Sequence, residues 1–115
     1  MTAVHLIEKR IALTISEPWD FGTECGVGPF YGYIIDVEEK RFLIALENPI
    51  TYSNATYVLA NCQLRYEDDS TSDLRGRAAI TVNVTLRSGQ AQKLTEINGN
   101  YSGDRMTGIG TIHLC

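Results

Sequence analysis

The 115-residue chain has little of what most catalysis requires. It holds two histidines, three cysteines and one tryptophan. None of Cys25, Cys62 and Cys115 stands in a Cys-x-x-Cys spacing, so the sequence offers neither a zinc-finger ligand set nor a dithiol redox pair. No apolar run approaches the ~18 residues of a membrane span. At the N-terminus, MTAVHLIEKR, the charges of Glu8, Lys9 and Arg10 fall where a signal peptide needs a continuous apolar stretch. The expected setting is therefore the cytoplasm, with the thiols reduced. In that setting the Asn-x-Ser/Thr triplets at Asn54, Asn83 and Asn100 carry no glycan.

Basic clusters are also missing. Ten Lys and Arg against fourteen Asp and Glu leave a net charge of −4, and the basic residues are scattered in ones and twes rather than in a stripe. Affinity for a phosphate backbone comes mainly from clustered cations, which weighs against nucleic acid as a partner. The densest charge cluster is acidic, Glu67, Asp68 and Asp69 with Asp73 beyond, set among Ser and Thr. It reads as a solvated loop, or as a docking surface for a basic partner.

What the chain does have is a period of two. In RAAITVNVTLR, residues 77 to 87, Ala78, Ile80, Val82, Val84 and Leu86 alternate with Ala79, Thr81, Asn83, Thr85 and Arg87, the pattern of a strand with one dry and one wet face. A second strand runs from about Thr56 to Tyr66, with Val58, Ala60, Cys62, Leu64 and Tyr66 on the apolar side. That places Cys62 in the core as an inert thiol. FYGYIIDV (residues 30 to 37) and RFLIALE (41 to 47), joined by Glu38 to Lys40, read as a hairpin. Tyr31, Tyr33, Ile35 and Val37 take one side of it and Phe30 and Ile34 the other, so both faces require cover. A second copy of the chain is one way to supply that cover, and a homodimer is expected on this ground.

Ile11 to Ser16 makes a further strand, preceded by a helical turn or a frayed extension. MTGIGTIHLC (106 to 115) closes the chain as a strand whose Gly108 and Gly110 suit a bulge or the close approach of a neighbouring backbone. Turn signals fall at Asn48-Pro49, Ser53-Asn54, Asp68 to Arg75, Ser88-Gly89, Asn98-Gly99 and Ser102 to Asp104. QAQKLTEI (90 to 97) is the internal candidate for a short helix, or an edge strand. The expectation is one all-β domain over residues 1 to 115. Its form is a small antiparallel barrel or strongly curled sheet, SH3-like or OB-like, of about six strands with at most one short helix.

The stretch EPWDFGTECGVGPFYGY, residues 17 to 33, is the place to look for chemistry. Its glycines, Gly22, Gly26 and Gly28, lack the Gly-Lys-Ser/Thr of a Walker loop, and Gly26-Val27-Gly28-Pro29 leads into a strand rather than a helix. Cys25 as nucleophile would need His5 or His113 as base and Asp20 or Glu24 as orienter, and no local signature of a cysteine hydrolase surrounds it. Two carboxylates facing one cleft cannot be picked out among Asp20, Glu24 and Asp36. The loop reads instead as an aromatic segment anchored by Trp19 and Phe21 that covers the barrel or a partner. No enzyme, cofactor or metal is expected.

Recognition remains. Six tyrosines and the tryptophan supply broad contact surfaces with polar tips. The sequence reading is a small non-enzymatic module that binds a protein partner, in the manner of an immunity or inhibitor protein facing a basic toxin or enzyme. Its binding residues are Trp19, Asp20, Phe21, Glu24, Tyr31, Tyr33, Arg65, Glu67, Asp68 and Asp69. The alternative is a small-ligand binder that holds a metabolite in a barrel mouth or dimer cleft under the Trp19 loop, with Arg65 or Arg77 for an anionic group. An OB-like binder of single-stranded nucleic acid, stacking bases on Tyr and Phe, ranks last because of the charge.

Overall fold

A computed structural model of the chain describes residues 6–17, 28–71, 74, 79–97 and 105–115. Six antiparallel strands, β1 (Arg10–Glu17), β2 (Phe30–Val37), β3 (Arg41–Tyr52), β4 (Ala55–Leu64), β5 (Ile80–Arg87) and β6 (Arg105–Leu114), form a closed barrel, and one helical turn, α1 (Leu94–Ile97), lies outside it. Every strand pairs with its neighbours in sequence, and β6 returns to β1. The closed, six-stranded, all-β barrel matches the expectation from periodicity. Closure also removes the unpaired edges through which open sheets aggregate.

The interior is made by the alternation itself. Ile11, Leu13 and Ile15 from β1, Ile34 and Val37 from β2, Phe42 and Ile44 from β3, Ala60, Cys62 and Leu64 from β4, Val82, Val84 and Leu86 from β5 and Ile112 from β6 meet in one cluster. Each fully buried Leu, Ile or Phe contributes about 1.5–3 kcal/mol of transfer free energy. Leu6 and Leu74 join the same cluster from outside the strands. They lie toward the end where the β2–β3 turn is held to the segment after β4: Thr71 N–H donates to the Glu39 carbonyl at 3.0 Å and Thr71 Oγ1 to the Glu38 carbonyl at 2.7 Å.

Three irregularities set the register. Between Ile34 and Asp36 the pairing of β2 with β3 slips, so Ile34 faces Ile44 and Asp36 faces Leu43. The slip carries Val37 into the core beside Ile34, where strict alternation had put it with Tyr31 and Tyr33. Between Ala45 and Ile50 the pairing of β3 with β4 slips again, and Glu47, Asn48 and Pro49 are exposed. Asn48-Pro49 is thus a bulge within one long strand and not the turn that its residues suggest, because a bulge tolerates proline's missing N–H. The turn falls at Ser53 and Asn54, whose φ values of 52° and 68° make a two-residue hairpin. The third slip, between Ile15 and Glu17, lies opposite Gly110 and Ile109 on β6.

The cover that the β2–β3 hairpin requires comes partly from the same chain. Ala91 and Leu94 bury themselves against Leu43 and Leu59 on the outside of the barrel, with Ile35, Ala45 and Val58 around them. Asp36 fixes this cover: Oδ2 accepts the Leu94 N–H at 2.7 Å and Oδ1 accepts the Val37 N–H at 3.0 Å. Glu96 accepts the Gln92 and Lys93 N–H groups just ahead of α1, which folds the glutamate back over the start of the turn. Arg87, expected on the wet face, is only 6% exposed. Tyr66, expected on the dry face, is exposed because β4 ends at Leu64.

Candidate functional site

Of the residues singled out above, Trp19, Asp20, Phe21 and Glu24, together with Cys25, His5, Asp73 and Arg77, lie outside the described residues. The others are spread over the barrel. Tyr31 and Tyr33 stand on the outer face of β2, 38% and 43% exposed, which makes them free surface rather than core. Arg65 is exposed and donates from Nη1 to the Asn83 side-chain oxygen at 3.1 Å, on the β4–β5 side. Glu67 and Asp68 are exposed, but Asp69 is buried, and the Lys40 ammonium donates to the backbone carbonyls of both Glu67 and Asp69. The acidic loop is therefore drawn down onto the β2–β3 turn by a lysine and presents less negative surface than its sequence suggests.

Around Tyr31 and Tyr33 the register assembles a group that sequence alone does not connect. Arg10 pairs with Tyr33 and Ala12 with Tyr31 across β1 and β2, which sets the Arg10 side chain beside both rings. Its guanidinium carbon lies 4.1 Å from the centroid of Tyr31, a cation–π contact. The same guanidinium forms an ion pair with Glu47 through Nε, with Nη2 donating to Oε1 at 3.2 Å. Hydrogen bonding from Arg10 holds the Glu47 carboxyl below the usual range, helped by a hydrogen bond from Tyr33. Glu47 reaches this position through the β2–β3 register, in which Tyr33 faces Ala45 and Gly32 faces Leu46, so that Glu47 follows on the face that carries the two tyrosines.

Next to this group is a cleft of about 500 Å³ lined by Ile7, Glu8, Tyr33, Ile34, Ile35 and Gln92. Residues 6–9 form one wall. Glu8 takes a left-handed conformation, φ 76°, and its N–H donates to the Ile34 carbonyl at 2.6 Å, while the Ile34 N–H donates to the Lys9 carbonyl at 3.0 Å. The segment ahead of β1, read from sequence as a helical turn or a frayed extension, is thereby tied to the β2 bulge. Ile7 is 36% exposed on this wall. Ile7, Glu8, Arg10, Glu47 and Gln92 carried no signal as a set, because most are distant in sequence and meet through the β1–β2 and β2–β3 pairings, the hydrogen bonds of residues 6–9 and the Asp36–Leu94 contact.

The thiol chemistry is clear where it is described. Cys62 is fully buried in the core, and burial pushes its thiol up to about 12. That removes the thiolate near neutrality, as its place on the apolar face predicted. Cys115 is exposed. Among the described residues no three His, Cys, Asp or Glu side chains are grouped so as to hold a metal ion. None of their helices is long and apolar enough to cross a membrane.

Comparison of the chain with models of protein families, with curated proteins and with solved structures returns no match.

Proposed function

We propose that the chain is a non-catalytic recognition module of the cytoplasm that binds a protein partner through the outer face of β1 and β2, in the manner of an immunity or inhibitor protein. The observation that supports this reading is the exposed set Tyr31, Tyr33 and Ile7 on elements held rigidly by the ladder. Large aromatic groups with polar tips, displayed on a stiff support, bind at small entropic cost. The interior of the barrel is filled by side chains from all six strands, so the described part of the molecule meets a partner on its outside.

Photo-crosslinking tests it. A benzophenone amino acid at position 31 or 33 should capture one partner from the native host, while the same group at position 107, exposed on β6, should not. Equal capture from all three positions, or none from any, would remove the reading. A second reading, a small-ligand binder, draws on the cleft beside Tyr33, whose volume falls in the range of small-molecule sites, roughly 300–1,000 Å³. A metabolite retained by the purified protein in native mass spectrometry, and lost on Tyr33→Ala, would favour that reading instead.

A further inference from the structure

We infer that the cleft beside Tyr33 receives an arginine side chain from a basic segment of the partner, a conclusion that rests on the protein-binding reading above. Ile7, Ile35 and Tyr33 give the cleft apolar and aromatic walls, Ile34 borders it while its side chain lies in the barrel core, and its polar lining residues are Glu8 and Gln92. One carboxylate against an apolar lining suits a ligand with a long hydrocarbon stem and a cationic tip. Glu8 is held in place by the hydrogen bond from its own N–H to Ile34. Among the described residues no ion pair engages its carboxylate, whereas Glu47 and Glu38 are paired with Arg10 and Arg41. Lys9 and Lys93 adjoin Glu8 and Gln92 in sequence and are exposed, but neither lines the cleft.

The same sheet face carries an internal example of this chemistry. Arg10 lies over the ring of Tyr31 and pairs with Glu47, a guanidinium between a tyrosine and a glutamate. Tyr33 and Glu8 bring the same two residue types to the lining of the cleft. A guanidinium is favoured over an ammonium because it is planar, weakly hydrated and able to stack and hydrogen-bond at once. The net charge of −4 draws a basic segment toward the molecule in the first place.

Titration of the full chain with N-acetylarginine amide, followed by amide chemical shifts, is the test, with N-acetyllysine amide and N-acetylnorleucine amide as comparison probes. The arginine probe should shift Glu8, Ile34, Ile35 and Gln92 saturably, more tightly than the lysine probe and much more tightly than the norleucine probe. Glu8→Gln should weaken the arginine probe by about two- to fivefold, the range of a partly exposed ion pair, and leave the norleucine probe unchanged. Tyr33→Ala should weaken both, and the dispersion of each spectrum reports that the variant is folded. Absence of saturable shifts at the cleft, equal binding of the norleucine probe, or an unchanged affinity in Glu8→Gln would each overturn the inference. Capture from positions 31 and 33 combined with failure of the arginine probe would leave the binding face standing and discard the arginine. Failure of both would discard the two together.

Discussion

Replacing Gly110 by alanine puts the closure of the barrel to a quantitative test. A Cβ at position 110 would lie 2.0 Å from the Thr14 carbonyl oxygen, 3.0 Å from its carbonyl carbon and 3.1 Å from Ile15 Cα, all main-chain atoms of β1. Ordinary contact begins near 3.4 Å, so no rotamer change relieves the clash and β6 must draw away from β1. The seam is where the last strand meets the first, and its register already slips opposite Gly110. Overpacking in a well-packed region costs about 1–3 kcal/mol, and contact with backbone rather than with a flexible side chain puts this case at the upper end. At about 4 °C per kcal/mol for a domain of this size, Tm should fall by about 8–12 °C. Propensity predicts the opposite sign, because Gly→Ala restricts the unfolded chain and stabilises by up to about 1 kcal/mol where space allows. Circular dichroism melts supported by urea titrations would measure the change. Thr107→Ala, an exposed position on the same strand, serves as the control and should stay within about 0.5 kcal/mol of the parent. A Tm for Gly110→Ala equal to or above the parent value would refute the reasoning.

Other consequences are open to simpler measurement. Alkylation by iodoacetamide near neutral pH, read by peptide mass, should modify Cys115 and spare Cys62 until denaturant is added. The Cys62 thiol is held up to about 12 in the folded state against an ordinary 9.0 once exposed. The unfolded chain therefore releases its proton first, and this group's contribution to stability is constant below pH 9 and declines as pH rises toward 12. Asp36→Ala removes the acceptor of the Leu94 N–H and should cost about 0.5–2 kcal/mol, with faster hydrogen exchange at Leu94 while the β1–β6 seam stays protected. In a carbon-detected pH titration Glu47 should titrate below the usual glutamate range and return to it in Arg10→Gln. Because that carboxyl is depressed in the folded state, any stability it contributes is present above the ordinary glutamate value and is lost as pH falls.

Much of the barrel is visible in the alternation of residues. Ile80, Val82, Val84 and Leu86 point inward as their spacing requires, and Ala60, Cys62 and Leu64 do the same on β4. The hairpin of β2 and β3 follows from two aromatic and β-branched runs with a short polar joint, and α1 falls within the segment marked as the short-helix candidate. Gly110 fulfils the close approach of backbones that its place in a strand suggested. Gly28, just ahead of β2, takes φ 113°, a conformation open to glycine because it lacks a Cβ. The misplacements have tertiary origins, and Tyr66 departs from the dry face because β4 ends before it. Val37 and the Asn48-Pro49 pair depart where a bulge shifts the pairing of a strand, and Asp69 where Lys40 holds the acidic loop to the β2–β3 turn.

The sequence by itself determined the kind of structure and the side of each regular strand, because a period of two is a local property that burial on one face reads directly. It also located Tyr31 and Tyr33 on a face apart from Ile34. Only the tertiary structure decided what stands beside those tyrosines. Arg10, Glu47, Glu8 and Gln92 reach them through the β1–β2 and β2–β3 registers, the hydrogen bond that ties Glu8 to Ile34 and the turn that Asp36 holds in place. Each of these contacts joins segments separated along the chain. A surface built from such pairings has no spacing of its own for a sequence to display.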